Sequence, residues 1–160
     1  AVNRALDLYP INVLLENSSG QGNSIGSSIN EMYGIFEKLR EEKRVKMCLD
    51  TAHLFQAGVD IRNVETWNNL LSSIEKNLGM DKIGLIHLND SKTDLGSKID
   101  RHWHIGLGKM GMETFFHILN EPRLMDLCAI METPEMGRMD HVNMRTARSL
   151  LLPLVPHSLS

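Results

Sequence analysis

Apolar residues fall along this chain in two alternating periods. Four short runs have the length and near-continuous apolar character of buried strands: INVLLE (Ile11 to Glu16), RVKMCLD (Arg44 to Asp50), KIGLIHL (Lys82 to Leu88) and LCAIME (Leu127 to Glu132). Between them Ile29, Met32, Tyr33, Phe36 and Leu39 recur at helical spacing, as do Val64, Trp67, Leu70, Leu71, Ile74 and Leu78, and then Phe115, Phe116 and Leu119. Gly79 is the predicted stop of the second helix; a last one is predicted from about Met139 to Leu152, ended by Pro153. Strands of this kind alternating with helices predict parallel strands buried on both faces and joined by right-handed crossovers, an α/β architecture.

Four such units are too few for a closed (β/α)8 barrel, which takes roughly 250 residues. The opening AVNRALDLYP reads as the tail of a helix with no strand before it. The expectation is therefore a parallel TIM-barrel fold of which this chain covers about the C-terminal four β/α units, with residues 1–153 as half of a barrel domain and 154–160 as a loose tail.

Each predicted strand ends in a side chain able to bind a metal: Glu16 before NSSGQG, Asp50 before TAH, His87 before LND and Glu132 before TP. In parallel barrels the C-terminal strand ends build the site, so the four are predicted to converge. Three carboxylates and an imidazole suit zinc, manganese or magnesium. A second set lies just beyond. His53 follows Asp50 by three residues, and Asp100 and His102 are two apart in DRH, a spacing that points both the same way from an extended loop. His53, Asp100 and His102 fill three positions of a tetrahedral zinc and leave one open, as catalytic zinc sites do. Any one of these histidines alone would be read as a hydrogen-bonded loop residue; His104, His117, His141 and His157, without carboxylates at ligand spacing, are read as surface residues or satisfied core. Arg101, between two proposed ligands, is placed to reach a phosphate oxygen or to pair with a carboxylate, and the phosphate is preferred. GLGKMG (Gly106 to Gly111), before a helix, is a weak candidate for offering backbone N–H groups to an anion. Lys92 and Lys109 read as solvated lysines.

Composition changes this picture little. No apolar run approaches the roughly 20 residues needed to cross a bilayer, and the N-terminus lacks the pattern of a signal peptide, so no membrane partner is expected and an intracellular location is, cytoplasmic if the source is bacterial. Cys48 and Cys128 each sit in an apolar run and are read as buried thiols, and the ten methionines as core filler. The net charge of −3 argues weakly against a nucleic-acid partner, an objection that a cluster of divalent cations would remove locally.

LLENSSGQGNSIG, CLDTAHLFQAGVD, HLNDSKTDLGSKIDRHWHIGLGKMG and METP, in this order and spacing, closely resemble endonuclease IV, the zinc-dependent apurinic/apyrimidinic endonuclease of base excision repair. The match runs from about Ile11 to the last helix. It implies a (β/α)8 barrel with three zinc ions at its C-terminal face, cutting double-stranded DNA 5′ to an abasic site by metal-assisted hydrolysis. It further implies that Glu16, Asp50, His87 and Glu132 hold the second zinc, that His53, Asp100 and His102 hold the third, and that Glu16 bridges to the first, with Glu16 and Glu132 at the reaction centre. The first zinc of the family takes two histidines from the N-terminal half of the barrel, for which this chain has no counterpart. Two zinc sites are thus expected here, and the chain is expected to be inactive without a partner supplying that half. ENSSGQG departs from the usual ENTAGQG without touching the ligand.

Two other readings compete. A sugar isomerase or epimerase of the related xylose isomerase-like barrel would use Glu16, Asp50, His87 and Glu132 for a single metal, but has no need of His53, Asp100 and His102. A non-catalytic truncated chain would expose INVLLE and LCAIME as unpaired edges.

Overall fold

A computed structural model describes residues 1–40 and 42–153. The tail expected at 154–160, and His157 within it, lie outside the described residues.

The chain enters through a helix, α1 (Val2–Leu8), and reaches the first strand, β1 (Val13–Glu16). The segment 17–28 then loops to α2 (Ile29–Phe36), whose start is fixed by a capping box: Ser28 accepts the Glu31 N–H, while the Glu31 carboxylate takes the N–H groups of Gly26, Ser27 and Ser28. Next come β2 (Val45–Asp50), the short α3 (Thr51–Gln56) and the long α4 (Val64–Asn77), closed by Gly79 at φ 92°. The third strand, β3 (Ile83–His87), is followed by a small antiparallel hairpin, β4 (Asp90–Ser91) with β5 (His102–Trp103), and by α5 (Met112–Leu119). The last strand, β6 (Ala129–Ile130), leads to α6 (Asp140–Ser149). The main sheet is parallel throughout in the order β1-β2-β3-β6, the consecutive winding of a barrel wall.

One face of this wall packs on the helices. Val45, Met47, Leu49 and Ile83 point into a core shared with Phe55, Trp67, Leu71, Ile74 and Phe115, all essentially inaccessible to solvent. Burying side chains of this size stabilises the fold by about 2 kcal/mol apiece. The other face carries Leu14, Lys46 and, at the strand ends, Glu16 and Asp50. Gly84 is needed on that face, since a Cβ there would collide with the Leu14 and Lys46 side chains.

Several expectations require correction. The strands are not all buried on both faces: Leu14 is 46% and Ile130 47% exposed, because β1 and β6 are the two edges of the sheet. The fourth strand is two residues long rather than six, with only Ile86↔Ala129 and His87↔Ile130 in register, so Glu132 lies past its end. Cys48 is buried as expected, but Cys128 is exposed. Methionine is only partly core filler: Met32, Met47 and Met110 are buried, whereas Met136 stands almost fully in solvent. The last helix stops at Ser149, four residues short of Pro153, so the proline is not what ends it. The β4/β5 hairpin and α3 have no counterpart in the hydrophobic pattern. Among the described residues no helix is long and apolar enough to cross a membrane.

Candidate metal centre

The strand ends bring four side chains to one point. Donor atoms of Glu16, Asp50, His87 and Glu132 all lie within 4.8 Å of one another. His87 supplies Nδ1, which is 3.0 Å from Glu16 Oε1 and 3.0 Å from Glu132 Oε2. The register explains how residues from different levels meet. Asp50 is paired with His87, but Glu16 is paired with Cys48, two residues lower, and its extra methylene covers part of that offset.

A second group adjoins the first. His53 Nε2 and His102 Nε2 are 3.4 Å apart, and Asp100 places one oxygen 3.3 Å from the former and the other 3.6 Å from the latter. His102 sits on β5, so the hairpin rather than a free loop aims it. The main chain of Asp100 is held by its N–H donating to the Gln21 side chain, which ties the loop after β1 to DRH. Asp50, foreseen only for the first group, belongs to both: its Oδ2 is 3.6 Å from His102 Nε2, and Asp50, His53 and His102 themselves form a set of donors within 4.8 Å.

The imidazoles are oriented for ligation. His53 turns Nδ1 to the Asn17 carbonyl at 2.8 Å and His102 turns Nδ1 to the Glu132 carbonyl at 3.2 Å, an arrangement that puts a proton on each Nδ1 and leaves both Nε2 lone pairs facing the same small volume. Two bare lone pairs and the Asp100 carboxylate around one point fit a cation better than they fit one another. Asp50 Oδ1 accepts the His53 N–H at 2.7 Å and so caps α3, which directs Oδ2 into the centre.

Without a cation Glu16 and His53 stabilise each other's charge. Glu16 is held below the usual carboxylate range, chiefly by its hydrogen bond to His53. Burial works against the charged form of His53, but the Glu16 carboxylate, Asp50, the Asn17 carbonyl and Asp100 together outweigh it and push its pKa up to about 9. Burial pushes the Asp50 carboxyl upward, and drives the Cys48 thiol beneath the cluster to about 12.

Other candidates resolve differently. The amides of GLGKMG do not await an outside anion. Asp90, fully buried, takes the N–H groups of Ser91, Gly108 and Met110, and Gly108 can have no side chain because a Cβ would strike that carboxylate and the Ser91 carbonyl. Arg101 is exposed, with its guanidinium donating to the Asp100 carbonyl at 2.6 Å rather than pairing with a carboxylate. Lys92 lies over the Trp103 ring at 4.3 Å, and Lys109 pairs with Asp94 at 3.1 Å. His104 is satisfied core: Asn143 bonds its Nδ1, the Thr133 hydroxyl and the Ile105 N–H, and so moors the METP turn to α6. His117 faces the Ile61 carbonyl, and His141 is exposed.

Sequence reasoning missed two residues, Asn17 and Asn89. Each follows a ligand in the chain, in LLEN and HLND, and an asparagine after a strand reads as a turn residue. Both are buried. Asn17 accepts the Asp50 N–H and donates to the Asp50 carbonyl, stitching the end of β1 to β2. Asn89 reaches Asp50 and Glu132.

A consecutive parallel wall with a polar centre on its C-terminal ends is the construction of a TIM barrel, and residues 2–152 match the model of the xylose isomerase-like TIM barrel. The chain belongs to that family. Within the xylose isomerase-like barrels it is similar to the C-terminal part of endonuclease IV proteins. It is 40% identical over 141 residues to "Probable endonuclease 4" of Chloroflexus aurantiacus, covering 87% of this chain and 50% of that protein. To the "Apurinic-apyrimidinic endonuclease" of Caenorhabditis elegans it is 42% identical over 123 residues, which is 77% of this chain and 31% of the relative. The crystal structure of endonuclease IV from Thermus thermophilus superposes with a TM-score of 0.79 at 31% identity, over 92% of this chain and 54% of that one. The chain thus spans about half the length, or less, of these relatives.

Proposed function

We propose that this chain carries the greater part of the metal centre of a zinc-dependent apurinic/apyrimidinic endonuclease, which hydrolyses the phosphodiester 5′ to an abasic site in double-stranded DNA. The observation that carries the reading is the pair of adjoining donor clusters sharing Asp50, because phosphoryl transfer uses ions a few ångströms apart and a one-metal isomerase has no use for the second cluster. The names of the relatives point the same way.

Glu16, Asp50, His87 and Glu132 would hold one zinc; His53, Asp100 and His102, with Asp50 at its edge, would hold another. When bound, zinc supplies a Lewis acid for phosphoryl oxygens and lowers the pKa of water. The protein's own part is to keep Nδ1 of His53 and His102 protonated, to hold Asp50 Oδ2 toward both clusters, and to present Arg101 beside them for a phosphate. By the family resemblance the histidines of a further zinc site would lie in the region of the relatives that this chain does not cover, and a complete nucleophile site would need that region as well.

Zinc per chain, measured by elemental analysis after exhaustive dialysis, tests the reading. About two zinc ions per chain are expected, falling by one in His102→Ala. A single ion insensitive to that substitution would favour the isomerase-type centre, and no ion at all would refute the proposal.

A further inference from the structure

Asn89 is completely buried, and its side-chain amide bonds both Asp50 and Glu132. Its main chain is clamped first: the Asn89 N–H donates to the Thr51 hydroxyl at 2.9 Å and that hydroxyl donates to the Asn89 carbonyl at 2.7 Å. From this fixed base Nδ2 donates to Asp50 Oδ2 at 2.7 Å and lies 3.5 Å from Glu132 Oε2, while Oδ1 accepts the Glu132 N–H at 2.7 Å.

The last of these bonds matters most. Because β6 ends at Ile130, Glu132 has no ladder partner, and its amide is held by the Asn89 side chain instead. The carbonyl of the same Glu132 residue receives His102 Nδ1 from the other cluster. One amide therefore sets the Glu132 main chain, which aims a carboxylate into the first cluster and an imidazole of the second. It also sets Asp50 Oδ2, which faces both.

We propose that Asn89 is a positioning residue that couples the two ligand clusters, so that removing its side-chain amide weakens metal binding at both, although of the second cluster's side chains it bonds only the shared Asp50. This inference rests on the metal-centre reading above. Loss of a residue that orients ligands typically lowers metal affinity by about 10- to 100-fold, and here the loss extends to His102 through the Glu132 backbone.

The test is zinc affinity of the full chain, prepared metal-free and titrated against a chromophoric chelator without DNA. Asn89→Ala is introduced into a His102→Ala background to read the first cluster and into a His87→Ala background to read the second. Cobalt(II) absorption in the visible reports ligand geometry in both. The expected result is an affinity loss of about tenfold or more in each background, with altered cobalt spectra. Weakening confined to the His102→Ala background would overturn the coupling, and affinities within about twofold of the parents in both would overturn any positioning role. Failure of the parent chain to bind zinc would overturn this inference and the metal-centre reading together, whereas zinc bound equally by parent and variant overturns this one alone. If metal-free circular dichroism shows that Asn89→Ala does not fold, Asn89→Ser carries the test, since its shorter side chain keeps a polar group but loses the two separate atoms with which the amide spans Asp50 and Glu132.

Discussion

The Nε2 atoms of His53 and His102 stand 3.4 Å apart, each ring turned by a backbone carbonyl on its far side. With both rings neutral and their protons on Nδ1, the two Nε2 lone pairs repel, and a cation converts that repulsion into two bonds. This pairing gives the clearest contrast between neighbouring histidines. His102→Ala is expected to remove one zinc per chain. His104→Ala is expected to leave zinc content unchanged and to cost about 1–3 kcal/mol of stability, because it strands the buried Asn143 amide. Elemental analysis and thermal melting of the two variants separate these effects, and equal zinc loss from both would refute the assignment.

His53 also sets a pH dependence for the metal-free chain. His53 has its pKa raised from 6.5 to about 9, so the stability it contributes is complete below about 6.5 and disappears as pH rises through about 9. Asp50, raised by burial, works in the same sense at lower pH; Glu16, lowered, works oppositely and loses its contribution as pH falls below its ordinary 4.5. The melting temperature of metal-free protein is expected to fall between pH 6.5 and 9, while the increment given by added zinc grows over the same window as His53 sheds its proton. A melting temperature independent of pH over that range would contradict this.

Asp90 is expected to matter to the fold and not to the metal. Asp90→Ala orphans the buried N–H groups of Ser91 and Met110 and the part-buried one of Gly108, and is expected to cost about 3 kcal/mol or more. Asp90→Asn keeps an acceptor and relieves a carboxyl whose pKa burial has raised, so its loss is expected to be smaller. Zinc content should be that of the parent wherever the variant remains folded, which melting and elemental analysis on one sample would establish.

A fourth outcome concerns catalysis. The 160-residue chain alone is expected to bind zinc and yet leave a duplex with one abasic site uncut, since the proposed nucleophile site is incomplete in it. Incision by the purified chain that Glu132→Gln abolishes would show that these residues suffice.

The meeting of Glu16, Asp50, His87 and Glu132 was legible because a parallel wall has one rule: whatever chemistry lies at the C-terminal end of each strand converges. Glu16, Asp50 and His87 each end a strand, so period and position identified them together. Glu132 was found by the same rule for a partly different reason, since its strand stops two residues earlier and a side-chain amide takes over the ladder's role. What the hydrophobic pattern does not carry is polar substitution for backbone pairing. Asn17, Asn89 and Asn143 look like turn residues until their partners are known, and a two-residue strand such as Asp90–Ser91 has no period to detect. Exposure at Cys128 was equally hidden, because an apolar run reads as buried only if another strand covers it.

The loop from Gly106 to Gly111 is folded around the protein's own anion. A glycine-rich turn waiting for phosphate is ordered at the moment of binding, and part of the binding energy is consumed in that ordering. Here the Asp90 carboxylate has already drawn Gly108 and Met110 inward, so the loop's conformational freedom is lost when the chain folds. An anion arriving over this corner would find the Gly108 and Met110 amides already occupied.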